Sequence, residues 1–151
     1  MREVKLDELK SLVGTEIGTS DWWDITQSRI NQFAQATGDA QWIHVDEERA
    51  KDSRFGGTIA HGYLTLSMLA GMRFQTFEVT GVGMTVNYGL NKVRFLTPVP
   101  SGSRTRGKFE LVSVRNRDDG GLECTFRATV ELENAPKPAC IAETMSVYYP
   151  S

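Results

Sequence analysis

The chain has 151 residues, 40% of them hydrophobic, and a formal net charge of -2. That length suits one domain, residues 1–151, and two would each be thin in core. The mildly acidic balance excludes a general nucleic-acid binder, which carries a basic stripe.

Residues 3–13 read as a short amphipathic helix, with Val4, Leu6, Leu9, Leu12 and Val13 apolar and Gly14 as its stop. No apolar run of signal-peptide length opens the chain, and nothing approaches the roughly 20 apolar residues of a membrane helix. A cytoplasmic protein that meets no membrane is expected. A strand is predicted over 16–25. Thr26 then starts a helix as N-cap, with Ile25 and Ile30 placed as a hydrophobic staple. Ile30, Phe33, Ala34 and Thr37 form its inward stripe, and Gly38 ends it. Asp39 therefore lies just beyond a helix end. Asp46 caps a second short helix, Glu47–Lys51.

Residues 53–62, SRFGGTIAHG, form a glycine-rich loop. The following YLTLSMLAGMRFQTF is apolar around most of its circumference, which predicts a helix buried on nearly all sides. The second half is strand-like. Residues 82–97 are broken near Gly89, and a strand over 103–115 turns at Asp119-Gly120-Gly121 into Leu122–Leu132. That last segment alternates apolar with polar residues, as a strand with one wet face does. Asn134–Pro138 turns into a final strand over 139–149. Helices segregated from an antiparallel meander make an α+β protein. A buried central helix needs a sheet wrapped around it, which is the hot-dog fold.

Cys124 and Cys140 lack metal-ligand spacing and read as buried thiols. The basic residues between Lys92 and Arg117 read chiefly as a solvated strand face. Arg94, Arg104 and Arg106 are the ones that can meet a phosphorylated ligand. Met68, Met72, Phe74 and Phe77 are either core or the lining of an apolar tunnel.

The chain has only two histidines, His44 and His61. Asp39 and His44 sit five apart in a loop, where both side chains can converge on one water. Such an acid–base pair is worth roughly 10²–10⁴-fold in rate, and histidine titrates near neutrality. A turn-capping Asp hydrogen-bonded to a His is the plainer alternative. Gly62 stands at the start of the apolar helix, where the first N–H groups have no internal partner. Without a side chain it lets a carbonyl oxygen reach its N–H, as in an oxyanion hole. His61 is given no chemical role. A metal triad of Asp39, His44 and His61 is conceivable, but the spacing gives it no support and no metal is expected.

The segments T37-G-D-A-Q-W-I-H-V-D46, I59-A-H-G-Y63 and V93-R-F-L-T-P-V-P-S-G102 together resemble the MaoC-like dehydratases, and more narrowly the (R)-specific enoyl-CoA hydratases. The resemblance runs from about Ile17 to Tyr149. It implies Asp39 and His44 as the catalytic pair and Gly62 as the oxyanion donor. Gln41 stands where the family usually has Asn, keeping a substrate-binding amide on a longer arm. Trp42 stands where the family usually has Pro. The resemblance further implies an acyl-CoA or acyl carrier protein thioester as substrate, no cofactor, and a homodimer. Two rivals remain open. A hot-dog thioesterase typically carries a carboxylate on the central helix, and residues 63–77 contain none. A non-catalytic acyl-binding subunit is disfavoured by the presence of both Asp39 and His44.

Overall fold

The computed structural model describes all residues, Met1–Ser151. Its first element is not the expected helix. Arg2–Lys5 is a strand, β1, followed by a 3-10 helix over Leu6–Leu12. Pairing with a distant strand competes with helix here. β1 pairs in parallel with β4, Phe77–Thr80, in register Arg2 to Phe77. The apolar spacing is still used, because Val4 and Leu9 are buried. Gly14 leaves the turn at φ 86°, as a stop residue should.

The strand predicted over 16–25 is two short pieces, β2 (Glu16–Thr19) and β3 (Trp23–Asp24). Helix α1 follows over Gln27–Thr37. Thr26 Oγ1 accepts from Arg29 N–H at 3.1 Å, so the cap is as expected. Gly38, at φ 81°, donates to Ala34 O at 2.9 Å. A side chain there would strain, because this left-handed conformation costs L-residues with a Cβ. Ile30 and Ala34 are buried, but Thr37 is exposed and only bonds back to Phe33 O. Residues Trp42–Val45 close a helical turn, α2, where an open loop was expected. Asp46 caps α3, Glu47–Lys51, through Arg49 N–H at 3.0 Å.

α4, Gly62–Thr76, is the long apolar helix. The remaining strands are β5 (Val82–Phe95), β6 (Arg104–Asn116), β7 (Leu122–Leu132) and β8 (Cys140–Pro150). They form one antiparallel sheet in the order β2-β6-β7-β8-β5, with β3 also on β6. β5 is continuous, and the break expected near Gly89 is a register shift between Asn87 and Gly89.

α4 packs on β6, β7 and β8 through Leu64, Met68, Leu69 and Met72. The same core takes Phe109 and Leu111 from β6 and Phe126, Ala128 and Val130 from β7. The helix is not buried all round, as its composition suggested. Tyr63 is 70% exposed and Phe74 61%. Those residues, with Ser67 between them, face away from the chain's own sheet. β7 also departs from one expectation. As the central strand it buries Glu123 and Thr125 on its polar face, and Arg115 and Arg117 pair with Glu123 there.

Candidate active site

Two short connections bring the sequence-predicted residues together. α1 ends at Gly38, which throws the chain sideways, and α2 begins four residues later, at Trp42. Asp39 lies in the gap and is exposed, whereas His44 on α2 is buried. The Gln41 carbonyl accepts His44 N–H at 3.0 Å. The Gln41 N–H faces Asp39 Oδ1 at 3.4 Å. Gln41 thus holds the turn through its backbone, and its exposed side-chain amide bonds to no protein group. Trp42 is half-buried and lies under the Arg49 guanidinium at 4.1 Å.

Behind His44 lies the glycine-rich loop. Ile59 N–H donates to Ile43 O at 3.0 Å, and Ile59 forms an isolated bridge with Pro100. The Ile59 carbonyl lies 2.7 Å from His44 Nδ1. A carbonyl only accepts, so Nδ1 carries the proton and Nε2 of the neutral ring keeps its lone pair. Gln27 steadies the same corner: its Nε2 donates to His44 O at 2.7 Å, and its Oε1 accepts from Thr58 Oγ1. Burial pushes the His44 imidazole below its ordinary value of 6.5. The Ile59 bond opposes that shift, the His61 ring adds to it, and Asp39 opposes it. The ring is therefore neutral at physiological pH and available as a base.

His61 is the residue that sequence reasoning left without a task. It is 2% exposed. Its ring stacks on His44 with centroids 3.8 Å apart and planes 23° apart. Its Nε2 donates to the Asp39 carbonyl at 2.8 Å, and Phe33 packs on it at 4.9 Å. His61 Nδ1 is buried without a partner, an arrangement that costs about 1–3 kcal/mol. The only signal in the sequence was scarcity, since the chain's second histidine stands beside the candidate oxyanion glycine.

A carboxylate oxygen of Asp39 and one ring nitrogen each of His44 and His61 lie within 4.8 Å of one another. Two hydrogen bonds of about 2.8 Å from one water span about 4.5 Å, so the group suits a bridging water. A metal fits less well. Zinc needs ring nitrogens at about 2.0–2.1 Å with converging lone pairs. Rings stacked nearly parallel at 3.8 Å send their lone pairs side by side.

Gly62 opens α4 immediately after His61. No side chain caps the helix, and its first internal bond is Thr65 N–H to His61 O at 3.1 Å. The N–H groups of Gly62, Tyr63 and Leu64 thus stand outside the helical ladder. A Cβ on Gly62 would meet the Phe95 ring at 3.0 Å, so Phe95 occupies the space that glycine leaves.

The other candidates resolve by their partners. Arg104 pairs with Glu133, Arg106 with Glu131, and Arg94 bonds only to Val93 O. Arg104 and Arg106 line a solvated, ion-paired face of β6, whereas Arg94 on β5 is exposed and in no ion pair. Met68, Met72 and Phe77 are core, and Phe74 is exposed. Both cysteines are buried and free, with burial raising the Cys124 thiol to about 12 and the Cys140 thiol to about 11.

Residues 8–133 match the family described as the MaoC like domain. The chain is 50% identical over 141 residues to the 3-hydroxyacyl-thioester dehydratase Z of Mycobacterium tuberculosis, covering 93% of each chain. It is 45% identical over 149 residues to nodulation protein N of Rhizobium leguminosarum bv. viciae, covering 97% of this chain and 92% of that one. The solved structure of an (R)-hydratase from A. caviae involved in PHA biosynthesis superposes with a TM-score of 0.68. It shares 23% identity and covers 91% of this chain and 98% of its own. That likeness is one of fold, the α+β hot-dog fold.

Proposed function

The chain belongs to the MaoC-like dehydratase family and is a hydro-lyase, and from that premise we propose that it is an (R)-specific enoyl-CoA hydratase. It adds water to a trans-2-enoyl thioester of coenzyme A or acyl carrier protein to give the (R)-3-hydroxyacyl thioester, and it runs in reverse as a dehydratase. The observation that carries this reading is the Asp39 carboxylate within 4.8 Å of a buried, neutral imidazole beside the uncapped start of α4.

In the proposed cycle the thioester carbonyl accepts from Gly62 N–H. Asp39 and His44 hold one water, and His44 Nε2 takes its proton as the oxygen adds to C3. The electron pair of the double bond moves onto the thioester oxygen, where the helix N-terminus stabilises the enolate. The proton returns to C2 from the same side, and the carbonyl re-forms. Gln41 offers its free side-chain amide to the substrate. His61 acts as a positioning residue, holding the His44 ring by its face and Asp39 by its carbonyl. No step requires a cofactor.

We read residues 1–151 as one domain, since a single cluster of 23 buried residues joins both ends of the chain, from Val4 to Tyr148. We also propose a homodimer and a cytoplasmic location. No helix is long and apolar enough to cross a membrane.

The test is to give the protein a short trans-2-enoyl-CoA and follow enoyl absorbance and free thiol together. Loss of the absorbance without thiol release is expected, with an (R) product. Thiol release with the double bond intact would make the protein a thioesterase instead.

A further inference from the structure

Arg73, in the last turn of α4, is 6% exposed. Its Nη1 donates to the Tyr148 hydroxyl at 2.8 Å, and its guanidinium stands over the rings of Phe74, Phe77 and Tyr148 at 4.6, 5.9 and 5.9 Å. It takes part in none of the chain's ion pairs. Arginine stays charged in proteins, and a buried charge is costly unless it is paired. Neither polar neighbour supplies a countercharge, because burial raises the Tyr148 hydroxyl and the Cys124 thiol each to about 12.

Arg73 walls a cavity of about 320 Å³ between α4, β5 and β8, lined by Leu66, Leu69, Leu90 and Phe109 among others. It also borders a second cavity of about 350 Å³, where Glu78 is exposed and unpaired with it. α4 carries no Asp or Glu, and none occurs between Glu78 and Glu110. Neither α4 nor β5, nor those elements of a second copy seated on them, therefore brings a carboxylate to this guanidinium. The carboxylate of β8, Glu143, does not line the cavity.

An apolar cavity with an unneutralised guanidinium in its wall fits an apolar chain ending in an anion, since arginine binds carboxylates through paired N–H donors. We propose that this cavity binds a terminal carboxylate on an aliphatic chain, with Arg73 as its ion-pair partner. Two sources share that chemistry. One is the distal carboxylate of a dicarboxylic acyl thioester. Gly62 and Arg73 lie eleven residues apart on α4, about 16 Å along its axis, so a medium-length chain joins them. This source rests on the hydratase reading above. The other source is a free fatty acid.

The test is calorimetry of the full chain with decanoate and with decanol. Decanoate is expected to bind at least about tenfold tighter, and Arg73→Met, which keeps an unbranched apolar side chain, brings the two to parity. Equal affinities in the unaltered protein, or a preference that survives Arg73→Met, would overturn the proposal. The first comparison needs no variant to fold. Kinetics then separate the sources. A lower KM for the dicarboxylic 2-enoyl thioester than for its monocarboxylic counterpart, lost in Arg73→Met, assigns the site to substrate. Equal KM values with decanoate still bound assign it to free acid. Failure of the hydratase reading shows separately, as turnover of neither thioester while decanoate still outbinds decanol.

Discussion

The Ile59 carbonyl and the His61 ring act on His44 from different sides, and both leave consequences in pH. Burial depresses the His44 pKa below 6.5. The folded protein thus binds this proton less readily than the unfolded chain does. The resulting stability is fully present above about pH 6.5 and is lost as pH falls through the depressed value. The acid limb of kcat/KM should lie below 6.5 for the same reason. A His44→Gln variant should lose less melting temperature between pH 7.5 and pH 5 than the unaltered protein, and an identical loss would contradict this. His61→Phe keeps a ring against His44 but removes the bond to the Asp39 carbonyl and the His61 ring's downward pull on the His44 pKa. We expect kcat to fall by about tenfold, the scale of one lost hydrogen bond, with KM nearly unchanged and the acid limb moved to higher pH. A purely structural His61 would leave that limb in place. Asp39 and His44 were legible in the sequence because Gly38 marks where the helix stops. His61 was not, because its contacts join residues 17 and 22 positions away, and no local pattern encodes such stacking.

α4 was readable as a helix from composition alone, but its open face was not. An apolar pattern says that a surface wants cover and not which surface covers it. The N-terminal segment failed for a related reason. Its apolar spacing suits a helix, yet pairing with β4 draws Arg2–Lys5 into an extended strand, and β4 itself was hidden at the helix end. The meander read more faithfully, since β7 and its turns at Gly120 and Asn134 carry both alternation and positive-φ residues. At the start of α4, crowding makes a direct prediction. The Cβ of Gly62→Ala would stand 3.0 Å from the Phe95 ring, and kcat/KM should fall as that ring is driven toward the substrate's path. Phe95→Ala in the same background should recover part of the loss. A double variant no better than the single one would mean that crowding is not the cause.

The free edge of β5 shapes the molecule as a whole. It is 14 residues long, and Met84, Val86, Tyr88 and Leu90 on it are exposed. Tyr63 and Phe74 of α4 are exposed as well. Long apolar edges invite pairing with another chain, and Lys92 and Arg94 are the only charges on this strand. A second copy seated on β5 would cover both edge and helix. Sedimentation at micromolar concentration should therefore give twice 16.8 kDa, with Val86→Lys shifting the protein toward the monomer. A monomeric unaltered protein would contradict the dimer. The fold class was legible because the helices α1–α4 all precede the long strands β5–β8, whereas assembly depends on exposure, which sequence does not display. The account rests in the end on one pair of side chains, and Asp39→Asn tests it most directly. Asn is nearly isosteric, and position 39 is exposed, so the melting temperature should stay within about 2 °C. Asn lacks the carboxylate charge that holds the water and stabilises the imidazolium formed at His44, so kcat for enoyl hydration should fall by about 10²-fold or more. A folded Asp39→Asn protein that turns over at the normal rate would contradict the mechanism, and a variant that loses stability and activity together would reduce Asp39 to a turn cap.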